Sequence, residues 1–363
     1  MQDRDQKHQS LELAVRSRWF PQLEVDVTPE RAVASKAPLV TDLDVFASIP
    51  DYFNTYRTAV FDCKTKAKES PVNRCLWLSG VMQRVRAEQG FCILRKRGIE
   101  VDHRLMATKL GIVLLEEREF ATYANATCPR PPVSDSKTAD MAVWETFFAI
   151  PKKFPKLAPS LAYLRSTYWM VDDAAEACRK TLSMLRETHP EFDPQKSEHL
   201  ALFFDFCALF ARSLAVVVSR LFRAYLQPAK QVDLSEALLL MLYGGRDAYD
   251  HRNSLFRLVK SSSTQDDVSD LSLPEWDGFL QLVRQLLDAP MESHGCPLLL
   301  REVGFTFLSG TAEFSFARTL CSESLHAAKF AMLIANYLCK AAQLPPEFGL
   351  AADGVILSLI DVK

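Results

Sequence analysis

Residues 39–68 read LVTDLDVFASIPDYFNTYRTAVFDCKTKAK, and the rest of the chain is read outward from them. Two strands are expected here. The first, residues 39–49, carries Asp42 and Asp44 among apolar neighbours; the second, residues 59–64, is an Ala-Val-Phe run that ends in Asp62-Cys63-Lys64. Strand side chains alternate between faces, so Asp62 and Lys64 point one way and Cys63 the other, as a buried thiol. A carboxylate on the neighbouring strand can join Asp62 to hold a divalent metal with Lys64 beside it. That set of groups suits phosphodiester hydrolysis: oxygen ligands hold the cation, and a lysine steadies the attacking water or the growing negative charge.

Upstream, Ser10 is the expected cap of a helix with apolar Leu11, Leu13, Ala14 and Val15, among which Glu12 sits. Residues 23–27 (LEVDV) alternate as a strand should. Downstream, a helix is expected over 73–89, with Leu76, Trp77, Val81 and Val85 as its apolar stripe. A strand over 91–94, a helix over 102–110 and a strand over 112–115 follow, before the acidic Glu116-Glu117. Strands alternating with helices predict an α/β layer with parallel pairing near its end.

The character changes after Tyr123. Residues 128–140 (CPRPPVSDSKTAD) hold three prolines among small polar residues and are expected as a linker. Beyond them, strand-like alternation almost vanishes, and apolar helical segments follow over 158–170, 173–187, 199–226, 234–243, 247–259, 274–287 and 322–342. The expected organisation is an α/β domain over 1–127, the linker, and an all-α domain over 141–363 built as an irregular bundle of about six to eight helices.

At 363 residues, 48% hydrophobic and 24% charged, the chain is long and apolar enough for two folded cores. The net charge of −2 carries no message, but residues 60–110 hold eleven Lys or Arg against five Asp or Glu. A basic block around a phosphodiesterase site fits polyanion binding, and it also fits a solvated helix face. Nine cysteines without a CxxC pair, and a polar start (MQDRDQKHQS), give the expectation of a reducing, cytoplasmic setting. The most apolar run, 200–226, is interrupted by Asp205, Arg212, Arg220 and Arg223 and is expected as a buried helix, with no membrane partner. No Walker motif, GxGxxG or GxSxG is present, and His189, His199, His294 and His326 show no metal spacing.

The order of these features resembles the restriction-endonuclease-like superfamily, the PD-(D/E)xK nucleases, over residues 11–117. Within it the chain is most similar to the Mrr-type and archaeal-resolvase-type branches, through Leu43-Asp44-Val45 followed eighteen residues later by Asp62-Cys63-Lys64. The resemblance implies a restriction-endonuclease-like α/β fold, a mixed sheet flanked by helices. It implies Asp44 and Asp62 as ligands of Mg²⁺ or Mn²⁺, Lys64 as the catalytic lysine, and Glu12 as a first-helix ligand or else a surface carboxylate. Gln83 matches the polar residue that some branches carry on the next helix, although Ala87 stands where a tyrosine often follows. DNA is the implied substrate, with Lys66, Lys68, Arg95, Lys96 and Arg97 gripping phosphates. The implied setting is an anti-phage defence effector whose helical domain binds a protein partner or a second copy. Two other classes stay open: a non-catalytic binding or scaffold protein on a degenerate nuclease fold, and a metal-independent ribonuclease. The latter rests on Arg246 and His251, whose Rx4H spacing resembles HEPN ribonucleases.

Overall fold

The structure is a computed structural model and describes residues 3–29, 38–51, 55–64, 70–95, 98–133, 135–226, 231–261 and 270–360. Lys66, Lys68, Lys96, Arg97 and most of the expected polar loop 260–270 lie outside the described residues.

The chain opens with α1 (Arg4–Arg16), whose Leu11, Ala14 and Val15 are fully buried. β1 (Phe20–Val27), β2 (Thr41–Pro50) and β3 (Tyr56–Lys64) follow as an antiparallel meander. Then α2 (Pro71–Val85) leads to β4 (Gln89–Leu94), and α3 (Val101–Lys109) to β5 (Ile112–Glu116); these strands pair in parallel. The sheet order is β1-β2-β3-β4-β5. Each parallel step spends a helix on the crossover, as parallel pairing requires, whereas β1 to β3 need only loops. The expected mixed sheet with flanking helices and parallel pairing at its end is therefore the observed one. Phe61 of β3 and Phe91 of β4 are register partners whose rings stack at 4.4 Å, both inside the core.

On α2 the buried face differs from the expected stripe. Pro71, Cys75, Leu78, Val81 and Met82 are buried, while Leu76 is 55% exposed. Ser70 caps the helix and Pro71 starts it, so the face toward the sheet runs through 71, 75, 78 and 82, about one residue round from Leu76 and Trp77.

The remainder is helical. It comprises α4 (Glu117–Thr127), α5 (Met141–Phe148), α6 (Ile150–Lys153), α7 (Ala158–Arg165), α8 (Ala174–Thr188), α9 (Ser197–Tyr225), α10 (Gln231–Tyr243), α11 (Arg246–Ser261), α12 (Trp276–Leu286), α13 (Cys296–Ser309), α14 (Ser315–Glu323), α15 (Leu325–Ala341) and α16 (Glu347–Ile360). That is more helices than the expected bundle. α13 escapes a periodicity reading because it is buried almost all round, so Val303-Gly304-Phe305-Thr306-Phe307 looks strand-like in sequence. The helix expected over 322–342 is α15, which starts at Leu325; α14 before it was not expected, and the break falls at Ser324, which caps α15 by accepting from Ala327 N at 2.9 Å.

α9 is the axis of this half. It is long and apolar enough to cross a membrane, but 94% of its most apolar window is buried by the protein itself. The charges that interrupt it dock it. Asp205 pairs with Arg301 of α13 at 2.6 Å, Arg212 donates to Ser48 Oγ of β2 at 2.7 Å, and Arg220 meets Asp173 at 3.4 Å.

The segment 128–140 is tied to this half. The buried Glu302 carboxylate accepts from Ser136 Oγ at 2.9 Å, Lys137 N at 2.7 Å and Thr138 N at 2.9 Å. Where β3 meets the helical half, Tyr56 packs edge-on against His294 at 4.7 Å, and neither His294 ring nitrogen has a hydrogen-bond partner.

Burial, aided by the nearby positive charge of Arg212, pushes His294 from 6.5 down to about 4. The unfolded chain therefore takes up a proton near pH 6.5 that the folded chain refuses until about pH 4. This site's contribution is complete above pH 6.5 and falls by about 3 kcal/mol as the pH drops to 4. Denaturant unfolding should show His294→Phe close to wild type at pH 7.5 and relatively more stable by about 2 kcal/mol at pH 4.5. Parallel pH profiles for the two proteins would refute this account.

Candidate active site

Val45 and Phe61 are ladder partners, so one step further along the antiparallel pair Asp44 and Asp62 stand opposite each other. Both are buried. Like charges directly across a ladder repel, and something must neutralise them. Lys64 does so: its Nζ lies 3.3 Å from Asp44 Oδ2 and 3.3 Å from Asp62 Oδ1. Asp44 Oδ2 also accepts from the Cys63 backbone N–H at 2.8 Å. Cys63 faces the other way, its Sγ 3.8 Å from Ser10 Oγ of α1, and burial pushes its thiol up. The structure thus brings Asp44, Asp62 and Lys64 together.

Four further residues complete the charge pattern: Lys7, Glu24, Arg165 and Arg74. Lys7 of α1 reaches Asp44 Oδ1 at 2.9 Å and also pairs with Glu24 Oε1. Glu24 lies on β1 between the ladder pairs Leu23–Val45 and Val25–Leu43, which puts it opposite Asp44. Its φ of 57° is left-handed, a conformation that costs a non-glycine residue about 1–3 kcal/mol. Arg165 of α7 holds that backbone, donating from Nε to the Glu24 carbonyl at 2.7 Å. Arg74 of α2 grips both Asp62 oxygens and rests 3.6 Å from the centroid of the partly buried Trp77 ring. Burial works against the charge on Lys7 and Lys64, but the carboxylates outweigh it, chiefly Asp44, and both lysines are raised above their usual range.

Glu12 is placed elsewhere. It lines a separate cavity with Gln9, Arg16, Phe120 and Asn125, between α1 and α4. On α1, Lys7 is the residue that reaches the carboxylates. Gln83 is exposed, and the α2 residue that reaches Asp62 is Arg74. Asp42 is exposed, on the rim of the cleft. Arg95 follows β4 with its backbone N–H on the Lys64 carbonyl at 3.0 Å, at the site's end of the sheet.

Beside these residues opens a cleft of about 510 Å³ lined by Lys7, Glu24, Asp42, Asp44 and Lys64 on one side. Glu145, Phe148 and Lys152 of α5 and α6, with Arg165 of α7, line the other. The helical half therefore supplies one wall. No protein-family model, curated protein or solved structure matches this chain.

Among the described residues no three Asp, Glu, His or Cys side chains form a preformed metal cluster. Mg²⁺ does not need one, since it commonly takes one or two carboxylates and completes its shell with water and substrate phosphate. The donor set fits that pattern. The Lys64 ammonium already sits where one cation bridges Asp44 and Asp62, at 3.3 Å from each. Asp44 and Asp62 are the residues that would hold the metal, and Glu12 is not.

Arg246 and His251 are both exposed on α11, and Arg246 is engaged by Glu236 of α10. Among the described residues no hydrogen bond or ion pair joins Arg246 to His251.

Lys7 tests how the carboxylates are balanced. Its side chain is 4% exposed, and Lys7→Met would leave Asp44 to Lys64 alone and take from Glu24 its nearest cation, with the two carboxylates opposed. Urea unfolding at pH 7 should show a loss of about 3–5 kcal/mol, the scale for breaking a buried pair from one side. Lys7→Met combined with Glu24→Gln should recover part of it. A near-neutral single variant would mean that Lys7 does not balance these carboxylates.

Proposed function

We propose that this chain is a metal-dependent nuclease of the restriction-endonuclease-like type, hydrolysing DNA phosphodiester bonds at the cleft beside Asp44, Asp62 and Lys64. The observation that carries this reading is Lys64 Nζ at equal distance, 3.3 Å, from two buried and opposed carboxylates at the sheet's edge of an open cleft. The order helix, strand, Asp44 strand, Asp62-Cys63-Lys64 strand, helix, strand, helix, strand supports the same reading.

Mg²⁺ or Mn²⁺ held by Asp44 and Asp62 would supply Lewis acidity toward a phosphate oxygen and a more acidic bound water. The protein's own groups do the rest. Lys64, kept protonated by its carboxylates and 23% exposed toward the cleft, presents an ammonium to the charge that develops on the phosphate. Lys152 and Arg165 line the opposite wall and offer positive charge to flanking phosphates. Lys66, Lys68, Lys96 and Arg97 extend that grip in this proposal. The helical half is proposed to carry a protein partner or a second copy, in a cytoplasmic anti-phage setting.

One observation favours a second reading, a non-catalytic nucleic-acid-binding protein on the same fold. Arg74 already occupies both Asp62 oxygens and competes with any metal there.

Calorimetry with Mn²⁺ beside plasmid cleavage separates the two. Asp62→Asn and Asp44→Asn should lose both metal binding and cleavage, because each removes charge from a hard-cation ligand. Lys64→Ala should keep or strengthen metal binding, since a competing cation is gone, yet lose cleavage by about a hundredfold or more. Asp42→Asn should be nearly silent. Wild-type protein that neither binds Mn²⁺ nor cuts plasmid, single-stranded DNA or RNA would leave the non-catalytic reading standing.

A further inference from the structure

The helical half holds a second concentration of positive charge, far in sequence from the cleft. Arg179, Ser183 and Arg186 stand at i, i+4 and i+7 on α8 and line one side of a cavity of about 410 Å³; Tyr243, the last residue of α10, lines the other. The guanidinium carbon of Arg179 lies 5.2 Å from the centroid of the Tyr243 ring. Arg179 is half-buried, and Arg252 of α11 faces it with a like charge. Burial first, and Arg252 next, hold the Arg179 guanidinium below its usual range.

Glu176 and Asp173 attract the Arg179 charge only from beyond ion-pair distance, and each has a cation of its own. Glu176 pairs with Lys180 at 2.7 Å, and Asp173 with Arg220 at 3.4 Å. Glu187, the acidic residue in the lining, accepts from Ser183 Oγ at 2.9 Å. Among the described residues none of Arg179, Arg186 and Arg252 has a carboxylate within ion-pair distance, in contrast to Lys7, Lys64, Arg74 and Arg301. Arg186 and Arg252 are exposed, but the half-buried Arg179, facing a like charge with no ion-pair partner, costs free energy that a fully solvated site would not charge. A guanidinium fork is also the group best shaped for phosphate oxygens.

We infer that this cavity binds a polyphosphate-bearing ligand, with Arg179 and Arg186, whose backbones stand about 10 Å apart along α8, turning their long side chains onto its neighbouring phosphates. The ligand is a nucleoside polyphosphate or consecutive phosphates of a nucleic-acid strand. Tyr243 is too buried to stack a base, so recognition is of phosphate alone.

The test is calorimetry on the full chain in EDTA, so that no probe is cut, with pyrophosphate, ATP and a short single-stranded oligodeoxynucleotide. Wild-type protein should bind at least one probe saturably, more weakly as salt rises. Arg179→Gln and Arg186→Gln should each weaken that binding by about tenfold or more, the scale of a charge-assisted hydrogen bond. Their melting temperatures without ligand should stay close to wild type, because no ion pair is lost and Arg179 gives up only its contact with the Tyr243 ring, and this separates lost binding from misfolding. Binding of pyrophosphate and ATP identifies a small-molecule site, and binding of the oligonucleotide alone identifies a strand track. Failure of the folded wild type to bind any probe, or wild-type affinity in both variants, overturns the inference.

Discussion

The guanidinium of Arg301 is fully buried, and the assembly of the two halves turns on it. It donates to Asp205 Oδ1 of α9 at 2.6 Å, to the Pro21 carbonyl, and to Gln22 Oε1 of β1 at 3.0 Å. It lies 4.1 Å from the Phe20 ring centroid, with Trp144 of α5 at 5.2 Å. Taking an arginine out of water costs several kcal/mol unless its donors are matched. Here they are matched only when α13, α9, α5 and β1 are assembled together. Burial opposes charge on both Asp205 and Arg301, and each partner's charge opposes that effect. Neutralising either side would strand the other.

Consequences follow along the chain. β1 is an edge strand, and the helical half covers it, which removes an open row of backbone groups from solvent. The same contact lets Arg165 hold Glu24 in its left-handed conformation, opposite Asp44. The residue after Arg301, Glu302, binds the segment 136–138. Two adjacent residues of α13 thus fasten both the sheet and the connection that leaves it. The cleft inherits its second wall from that fastening.

Much of the sheet was legible because each signal was local. The alternation of Leu23, Val25 and Val27, the Asp62-Cys63-Lys64 ending and the helix–strand order after Lys64 mark elements that the structure shows within a few residues. The convergence of Asp44, Asp62 and Lys64 was legible for the same reason, since strand alternation fixes it. Lys7, Arg74 and Arg165 were not. Each reaches the carboxylates from a helix whose rotation and docking depend on tertiary packing, and no spacing in the sequence encodes that. Glu24 had a faint signal, standing on the polar face of LEVDV, but only the β1–β2 register puts it opposite Asp44. Glu12 misled because helix position alone does not say which face meets the sheet. Ser10, Leu11 and Ala14 take that face, and Glu12 turns toward α4. In the helical half, α13 shows the limit of periodicity, which needs a wet side to contrast with a dry one.

The cations around the carboxylates are not equivalent, and their exposure separates their roles. Lys7 is 4% exposed and bridges Asp44 to Glu24, so removing it leaves a buried and a partly buried carboxylate opposed; it belongs to the scaffold. Arg74 is 17% exposed, but its fork spans both Asp62 oxygens and its plane rests on Trp77, so a rotation breaks several contacts at once. Lys64 makes two contacts of only 3.3 Å, is 23% exposed and borders the cleft. Of these three it loses least by moving and has somewhere to go. In the proposed reading Asp44 and Asp62 would hold a divalent cation, and of the three positive side chains Lys64 would give up its place at least cost. Its ammonium would then have the cleft to turn into, where the same proposal puts the substrate phosphate.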